Sequence, residues 1–346
     1  MTFFRGSRGT LSRPSASALV SVPLSALLAL SAAGCAGAPA KSQEPAASSS
    51  AASRAASAPA SDSRERLKVG ATDRSYLLHR PGGERRARPL VLAFHGRGEN
   101  AEEMRERGRL DKAAGAKGML VAHLEALDKM WSADTTPTPR RPDPGVDVRF
   151  ADALVGDLVR RGEADPERVY AVGFSNGGSM ALRMAAQRPR KVAGAVAVSG
   201  QLPVGVAKEL ASAAPARVPV LLVYGEKDPV RPLAGVPNPP PPKPGEEPMT
   251  ATLATRTSAE AFARAAGTKP PRTEVRKGYD RTFWAPGTPG GAPVELLVMH
   301  GAGHTWPGAK VPPPANFGSV STALDATDTL LDFLTRPPSP AGAPAP

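Results

Sequence analysis

The sequence predicts an α/β fold in which helices cover both faces of a mainly parallel sheet, and three observations support this. Short apolar runs that end in glycine, such as "RPLVLAFHGRG", are typical of buried strands. Amphipathic stretches with helical spacing alternate with these runs, as they do where helices connect parallel strands. Roughly 280 residues remain after the first 63, which is enough for a single domain with a sizeable core.

The first half of this domain is predicted to contain a hairpin, two strands and one long helix. "RLKVGATDRSYLLHRP" alternates in polarity and turns at Gly70, which indicates an opening hairpin. "RPLVLAFHGRG" and "GMLVAHLEAL" predict the next two strands. The helix that follows places Phe150, Leu154 and Leu158 at helical spacing and is expected to end before Pro166.

The second half alternates between strands and helices. The predicted strands are "RVYAVGF", "KVAGAVAVSG" and the apolar parts of "ARVPVLLVYGEKDP" and "APVELLVMHGAGHTWPG". The predicted helices are "NGGSMALRMAAQR", most of "MTATLATRTSAEAFARAAG" and "ALDATDTLLDFLTR". Two Pro-rich stretches, "TTPTPRRPDPG" and residues 236–248, are predicted as surface loops, the second an insertion of extended, polyproline-like character.

Residues 1–34 have the layout of an export signal of lipoprotein type. A basic start is followed by a small, apolar stretch that is too short and too interrupted for a membrane span. Cys35, the only cysteine, stands where the small residues end, so we expect it to be lipidated as in a bacterial lipoprotein. Ala32 departs from the leucine that such signals usually have, which leaves a plain signal peptide and free secretion as the alternative.

Composition sets the remaining boundaries. Residues 35–63 are rich in Ala, Ser and Pro and contain no aromatic residue, so they are predicted to form a disordered tether. Residues 64–336 are predicted to form the folded domain, and residues 337–346 a disordered Pro-rich tail.

Charge and cysteine content limit the classes of partner. The net charge is +12, but no basic run is interleaved with aromatic residues, so a solvated surface is favoured over nucleic-acid binding. Membrane contact is expected only through a lipid on Cys35. A single cysteine allows no intrachain disulfide and no cysteine-based metal cluster, and neither a metal nor a cofactor is predicted.

The segment Gly173-Phe174-Ser175-Asn176-Gly177 has the pattern Gly-x-Ser-x-Gly. In a chain this rich in glycine, the pattern occurs by chance with a probability of roughly one in four. Its context is more informative, because a predicted strand precedes it and a predicted helix follows it, as a nucleophile elbow of the α/β-hydrolase type requires. Ser175 is therefore the candidate nucleophile.

A serine hydroxyl needs a base to remove its proton, and in this fold that base follows the nucleophile in the chain. Only His300 and His304 do so. His304 lies in the loop "GAGHTWPG" after a strand and is the predicted base. His300 ends the strand itself and is the alternative, with a structural role as the simpler interpretation.

The acid should lie between the serine and the base. Asp228 follows the apolar run "VPVLLVYGEK" directly and is the predicted acid, which would orient the imidazole and stabilise its cation. Asp280 lies in polar "GYDRT" without a strand leading to it, and Glu226 is a weaker neighbour of Asp228.

An oxyanion hole needs two N–H donors. The residue after the nucleophile, Asn176, should supply one, and the loop after "LVLAF" the other. In that loop Arg97 is the predicted donor and Gly98 the second candidate. His95 precedes the serine, so it is interpreted as a structural loop residue.

Four stretches together, "FHGRG", "GFSNGGSMALR", "VYGEKDPVRP" and "GAGHTWPG", resemble the secreted esterases of the poly(3-hydroxybutyrate) depolymerase and LpqC-like group. These are related to feruloyl and acetylxylan esterases of carbohydrate esterase family one. The resemblance runs from about residue 66 to 335. It implies an α/β-hydrolase fold, ester hydrolysis without a cofactor, and a triad of Ser175, Asp228 and His304.

The resemblance also suggests weaker site residues. Trp131 matches a tryptophan near the substrate cleft of such esterases, with a core aromatic as an equal alternative. Trp306 is interpreted as packing the loop of the base more readily than as binding substrate. Asp147 matches an acidic position before the lead-in helix and is interpreted as a helix cap. The cysteines of the family are missing, and Val121-Ala122-His123-Leu124 stands where the family usually has Tyr-Pro. These departures leave the identity of the substrate undecided.

The sequence thus predicts an exported serine esterase. Soluble feruloyl or acetyl esters of polysaccharides, or hydroxyalkanoate oligomers, are the expected substrates. The alternatives are a non-catalytic envelope protein that keeps the fold for binding, and a serine peptidase on the same fold.

Overall fold

The computed structural model describes residues 58–84, 86–213 and 217–336. The predicted signal, Cys35, most of the predicted tether and the predicted tail lie outside the described residues. Within them, no helix combines the length and the apolar character needed to cross a bilayer.

The central feature is one sheet of ten strands in the order β1-β2-β4-β3-β5-β6-β7-β10-β9-β8. The six central strands run parallel to their neighbours, and an antiparallel pair extends the sheet on each side. The strands are β1 (Ser61–Val69), β2 (Thr72–Arg80), β3 (Arg88–Phe94), β4 (Leu120–Leu124), β5 (Ala164–Phe174), β6 (Gly194–Val198), β7 (Val220–Gly225), β8 (Arg272–Arg276), β9 (Tyr279–Trp284) and β10 (Val294–Met299).

Helices cover both faces of this sheet. One face packs residues of α3, α4, α5 and α6 into a first hydrophobic cluster, and the other packs residues of α1, α2 and α7 into a second. Alternate residues of the central strands enter opposite clusters, since successive strand side chains point to opposite faces. The helices are α1 (Ala101–Gly108), α2 (Leu110–Ala116), α3 (Val146–Arg160), α4 (Asn176–Gln187), α5 (Val204–Ser212), α6 (Thr255–Ala266) and α7 (Ala326–Thr335).

The predicted fold class is confirmed, whereas one predicted boundary is wrong. The first strand begins at Ser61 and pairs along its whole length with β2, so residues 61–63 belong to the sheet and not to the tether. Composition failed there because β1 is an edge strand with mostly outward side chains, which need not be apolar. Asp62 even contributes to the fold, because Arg105 of α1 donates to its carboxylate.

Several elements were not predicted from the sequence. The helix α1 begins at an Asn100–Glu103 capping box, a local signal that could have indicated it. The helices α2 and α5 are short, and the hairpin of β8 and β9 is polar at the edge of the sheet. Weak amphipathicity in short elements explains why a search for apolar periodicity passed over them.

A buried ion pair replaces the predicted helix cap at Asp147. The helix α3 starts after Gly145, so Asp147 lies inside its first turn. One carboxylate oxygen accepts from Arg74 of β2 at 2.7 Å, and the other accepts from the backbone N–H of Ser132 at 2.7 Å. Both side chains of the pair are almost fully buried, so this carboxylate joins the sheet, α3 and the loop before it.

We expect Asp147→Asn to lower the free energy of unfolding by about 3 kcal/mol, because it leaves the Arg74 guanidinium buried without a counter-charge. Chemical denaturation would measure the loss. Asp143→Asn is the matched control: its partner, Arg149, is exposed, so the cost should stay below about 1 kcal/mol. Equal costs for the two variants would contradict the importance of the buried pair.

Candidate active site

Ser175 sits on a strained turn between β5 and α4. Its backbone has φ 54° and ψ −119°, a conformation that costs a residue other than glycine about 1–3 kcal/mol. The turn is sharp enough that a Cβ on Gly173 would lie 2.1 Å from the carbonyl oxygen of Gly177. The predicted elbow is thus present as a geometric feature, and glycine is required at this crossing.

The second glycine of the motif brings the elbow against the neighbouring strand. A Cβ on Gly177 would lie 2.1 Å from the carbonyl oxygen of Phe94 and 2.4 Å from that of His95. Phe94 ends β3 and pairs with Gly173 in β5. The loop after β3 is therefore held directly beside Ser175.

A continuous chain of hydrogen bonds connects the three residues of the predicted triad. The Ser175 hydroxyl lies 2.8 Å from Nε2 of His304, and Nδ1 of His304 lies 2.6 Å from a carboxylate oxygen of Asp228. They come from loops after β5, β10 and β7, and these parallel strands end at the same edge of the sheet. The structure therefore brings all three together over separations of 76 and 129 residues.

The carboxylate of Asp228 is fixed on both oxygens. The oxygen that does not face His304 accepts the backbone N–H groups of Val230 at 2.9 Å and Arg231 at 2.7 Å. Backbone donors to a carboxylate stabilise its charged form. The loop is also tied to that of His304, because the Lys227 N–H donates to the Ala302 carbonyl at 2.8 Å.

Aromatic rings hold the imidazole of His304 in place. The ring lies between Phe174 and Phe317, at centroid distances of 5.2 and 5.1 Å. The backbone N–H of His304 donates to the Phe317 carbonyl at 2.6 Å. His304 is 1% exposed, so its orientation depends on these contacts and on Asp228, with little access for water.

The structure separates the alternative acid and base from Ser175. His300 and Asp280 bond to each other at 3.0 Å, both on exposed side chains. Asp280 lies inside β9, a strand that the sequence did not reveal. Glu226 accepts the backbone N–H of Gly301, which gives it a role in holding the loop.

Among the described residues, the backbone N–H groups of Asn176 and Arg97 have no acceptor and are available to an oxyanion. Asn176 is the first residue of α4, where the helix supplies no acceptor for its N–H. In the loop after β3, Gly98 donates to the Lys129 carbonyl at 2.7 Å, which removes it as the second candidate. The N–H of Arg97 has no acceptor among the described residues, so the geometry leaves the donors that the sequence predicted.

His95 supports this loop as a neutral side chain. Burial lowers the pKa of its imidazole. Its Nδ1 lies 2.7 Å from the Gly96 carbonyl, and Nε2 accepts the Ala126 N–H at 3.1 Å. The ring thus joins the loops after β3 and β4, as expected of a structural residue.

Comparisons with known proteins agree with this geometry. A family model described as Phospholipase/Carboxylesterase matches residues 147–236, which include the elbow and Asp228. The protein named "Putative esterase NocK" from Nocardia uniformis subsp. tsuyamanensis is 42% identical over 288 residues, covering 78% of this chain and 81% of that protein. The chain belongs to the esterases of the α/β-hydrolase superfamily.

A solved structure shows the same fold for this esterase. The acetyl xylan esterase from Aspergillus awamori matches with a TM-score of 0.52 and 16% identity, covering 70% of this chain and 94% of that one. At this identity the likeness concerns the fold alone. It confirms the predicted mainly parallel sheet with helices on both faces.

The two tryptophans of the esterase are both buried. Trp306 is fully buried and its indole N–H donates to Thr327 at 3.0 Å, which fits packing of the loop. Trp131 is 1% exposed, packs edge-on against Phe94 and donates its indole N–H to the His95 carbonyl at 2.8 Å. The core interpretation thus fits both rings better than substrate binding.

The side chain of Asn176 has a role that the sequence did not indicate. Its amide oxygen accepts the Trp131 N–H at 2.7 Å, and its amide nitrogen donates to the Trp131 carbonyl at 3.3 Å. This pairing fastens the loop after β4 to the elbow. An amide is needed there, since it offers a donor and an acceptor side by side.

Three further side chains hold the loops around the site, and the sequence did not indicate them. Arg183 of α4 is 3% exposed and one of its nitrogens donates to the carbonyls of Ser132, Asp134 and Pro144. Glu99 accepts the Gly96 N–H and forms a two-point ion pair with Arg107. Arg107 also lies over the ring of Phe174, 4.4 Å from its centroid, directly before the nucleophile.

The two Pro-rich stretches are joined to each other. Glu247, whose side chain is 2% exposed, accepts from the Thr138 hydroxyl and from the Arg140 backbone N–H. Beside this contact lies a pocket of about 150 Å³, lined by residues of both stretches and by Trp131. The Pro-rich insertion therefore forms part of a pocket wall next to the loop that Asn176 holds.

One group of possible metal ligands occurs among the described residues, away from this site. A carboxylate oxygen of Asp62, a ring nitrogen of His79 and a carboxylate oxygen of Asp111 lie within 4.8 Å of one another. Arg105 donates to both carboxylates. The guanidinium of Arg105 thus already offsets part of their charge.

We expect Gly177→Ala to reduce the rate of ester hydrolysis about 100-fold, because the added methyl must push the loop after β3 away from Ser175. The same change should lower the midpoint of thermal unfolding. Gly156→Ala in α3 is the matched control, because its Cβ meets only the flexible end of the Arg160 side chain. Its rate of ester hydrolysis should equal that of the wild type, and its midpoint of thermal unfolding should be equal or slightly higher. Full activity in Gly177→Ala would refute the close approach.

Proposed function

We propose that Ser175, His304 and Asp228 carry out the ester hydrolysis of this enzyme. The Ser175 oxygen attacks the ester carbonyl while Nε2 of His304 takes its proton. Asp228 keeps the other ring nitrogen protonated and stabilises the imidazolium. The negative oxygen of the tetrahedral intermediate then lies against the N–H groups of Asn176 and Arg97.

The second half of the reaction uses the same groups. His304 returns the proton to the departing alcohol, and an acyl group remains on Ser175. A water molecule then gives a proton to His304 and attacks the acyl carbon, which releases the acid and restores the serine. The strained turn at Ser175 favours this cycle because it presents the hydroxyl beyond the end of the sheet, beside the start of α4.

The observation that supports this assignment best is the unbroken hydrogen-bond chain from the strained serine to a buried acid. Two contacts of 2.8 and 2.6 Å complete it, and neither His300 nor Asp280 takes part. The expected substrates are soluble esters, either feruloyl or acetyl groups on polysaccharides or hydroxyalkanoate oligomers. The named relatives are esterases, which favours esters over peptides.

A panel of variants tests the assignment with 4-nitrophenyl acetate, methyl ferulate, acetylated xylan and 3-hydroxybutyrate oligomers. We expect Ser175→Ala to lower kcat/KM at least about 10⁴-fold and to abolish labelling by a fluorophosphonate. Ser212→Ala, at an exposed position in α5, should retain both.

The acid is tested with its own matched pair. Asp228→Asn should lower kcat about 10³- to 10⁴-fold, because an amide no longer stabilises the His304 cation. Asp280→Asn, which removes the surface partner of His300, should retain activity. Absence of hydrolysis in the wild type with every ester would favour the binding-protein alternative, and cleavage of peptide anilides would favour the peptidase.

We also propose that the enzyme is exported and carries a lipid at Cys35. The basic start, the small apolar stretch of residues 1–34 and the position of this single cysteine support the proposal. The mass of the mature N-terminus, measured on protein expressed in a bacterial host that processes lipoproteins, should show a diacylglyceryl group on Cys35. A mature chain that lacks this lipid would contradict the anchor, and a retained signal would contradict export.

A further inference from the structure

Two arginines in the catalytic loops form no ion pair with any described residue. Arg97 lies in the loop after β3, is exposed, and makes no hydrogen bond or ion pair with any described residue. Arg231 lies three residues after Asp228 and donates through one nitrogen to the Thr250 carbonyl at 3.1 Å and, weakly, to Thr252. Its Nε and Nη2 have no acceptor in the described part of the chain.

The loops that carry these two side chains lie on opposite sides of the nucleophile. Their loops follow β3 and β7, and β5 and β6 lie between those strands. At the usual strand spacing the loops start about 14 Å apart. Burial lowers the pKa of the Arg231 guanidinium because a buried cation loses its hydration, and the charge of Arg97 acts in the same direction, whereas Tyr224 and Asp228 oppose it.

Two like charges in proximity oppose each other unless an anion lies near both. Glu99 is paired with Arg107, and Asp228, whose charge acts on Arg231, has both oxygens occupied by His304 and by backbone N–H groups. Lys129, whose carbonyl accepts the Gly98 N–H, adds a third cation beside Arg97, next to a single exposed acid, Asp128. The mouth of the site therefore has a surplus of positive charge.

We propose that this esterase prefers esters that carry a carboxylate in the same molecule, bound between Arg97 and Arg231. The inference rests on the proposed function of Ser175. A guanidinium binds a carboxylate through paired N–H donors, and Arg231 has free donors for such a contact. Of the expected substrates, hydroxyalkanoate oligomers end in a carboxylate, whereas acetylated neutral polysaccharides have none.

The test compares kcat/KM for pairs of esters that differ in charge. The comparison of mono-4-nitrophenyl succinate with 4-nitrophenyl butyrate tests a carboxylate on the acyl side of the ester. The comparison of 3-acetoxybenzoate with 3-acetoxybenzamide tests a carboxylate on the alcohol side of the ester. We expect the charged member to be preferred in at least one pair, and the preference to shrink between about 20 mM and about 500 mM salt.

Variants then identify the residues responsible. Arg231→Met should reduce the ratio of charged to neutral ester about tenfold, and Arg97→Gln about threefold, as the exposed cation is better screened. Arg231→Lys and Arg97→Lys should each keep more of the ratio of charged to neutral ester than Arg231→Met and Arg97→Gln do. Arg190→Gln is the matched control: it removes the same charge from an exposed position beyond the far end of α4, so its ratio should equal that of the wild type.

The outcomes separate the two proposals. Hydrolysis of neutral and charged esters at equal kcat/KM, unchanged by either arginine variant, would overturn the carboxylate preference and leave the function of Ser175 standing. If the ratio of charged to neutral ester falls equally in Arg190→Gln, the preference is due to net charge alone, and the proposal is overturned as well. If Arg231→Met fails to fold, Arg97→Gln and the salt dependence of the wild type still decide the question.

Discussion

The close crossing of two backbones at the elbow is the constraint on which the rest of the site depends. The strand β5 must turn into α4 within one residue, and that residue, Ser175, adopts a conformation that is unfavourable by itself. The turn exists because neither Gly173 nor Gly177 has a side chain to obstruct it. The same absence of side chains lets β3 approach, so the hydroxyl and the loop with Arg97 become neighbours.

The loops around this elbow are held by side chains that bond to backbone. Asp228 accepts two N–H groups of its own loop, Asn176 pairs with the backbone of Trp131, and Arg183 gathers three carbonyls. Such bonds give irregular segments a single arrangement without a helix or a strand, because each buried backbone group must find a partner. They explain how a loop-built site reaches the short distances seen around His304.

The cationic side chains of this protein fall into two groups, those in ion pairs and those without one among the described residues. Many of them are neutralised locally, in pairs such as Arg107 with Glu99 and Arg74 with Asp147. Within the part of the chain that the structure describes, Arg97 and Arg231 of the catalytic loops form no such pair, and neither do exposed cations elsewhere such as Arg190 and Lys277. The surplus that composition suggested to be a solvated surface thus includes two cations of the catalytic loops as well as exposed cations elsewhere on the domain.

Local patterns in the sequence were sufficient for the fold class and for the three predicted residues that the structure brings together. Apolar runs specify buried strands, and the order of serine, acid and histidine left only two candidates for the base, so the positions of Ser175, Asp228 and His304 could be predicted. The tertiary structure alone decided what depends on distant partners: the burial of Trp131 and Trp306, the ion pair of Asp147, and the placement of the loops with Arg97 and Arg231 at the same edge of the sheet. The physical reason is that sequence periodicity shows only which side of a helix or strand is apolar. Contacts between loops depend on the assembled sheet, because the parallel strands bring the loops together where their carboxyl ends meet.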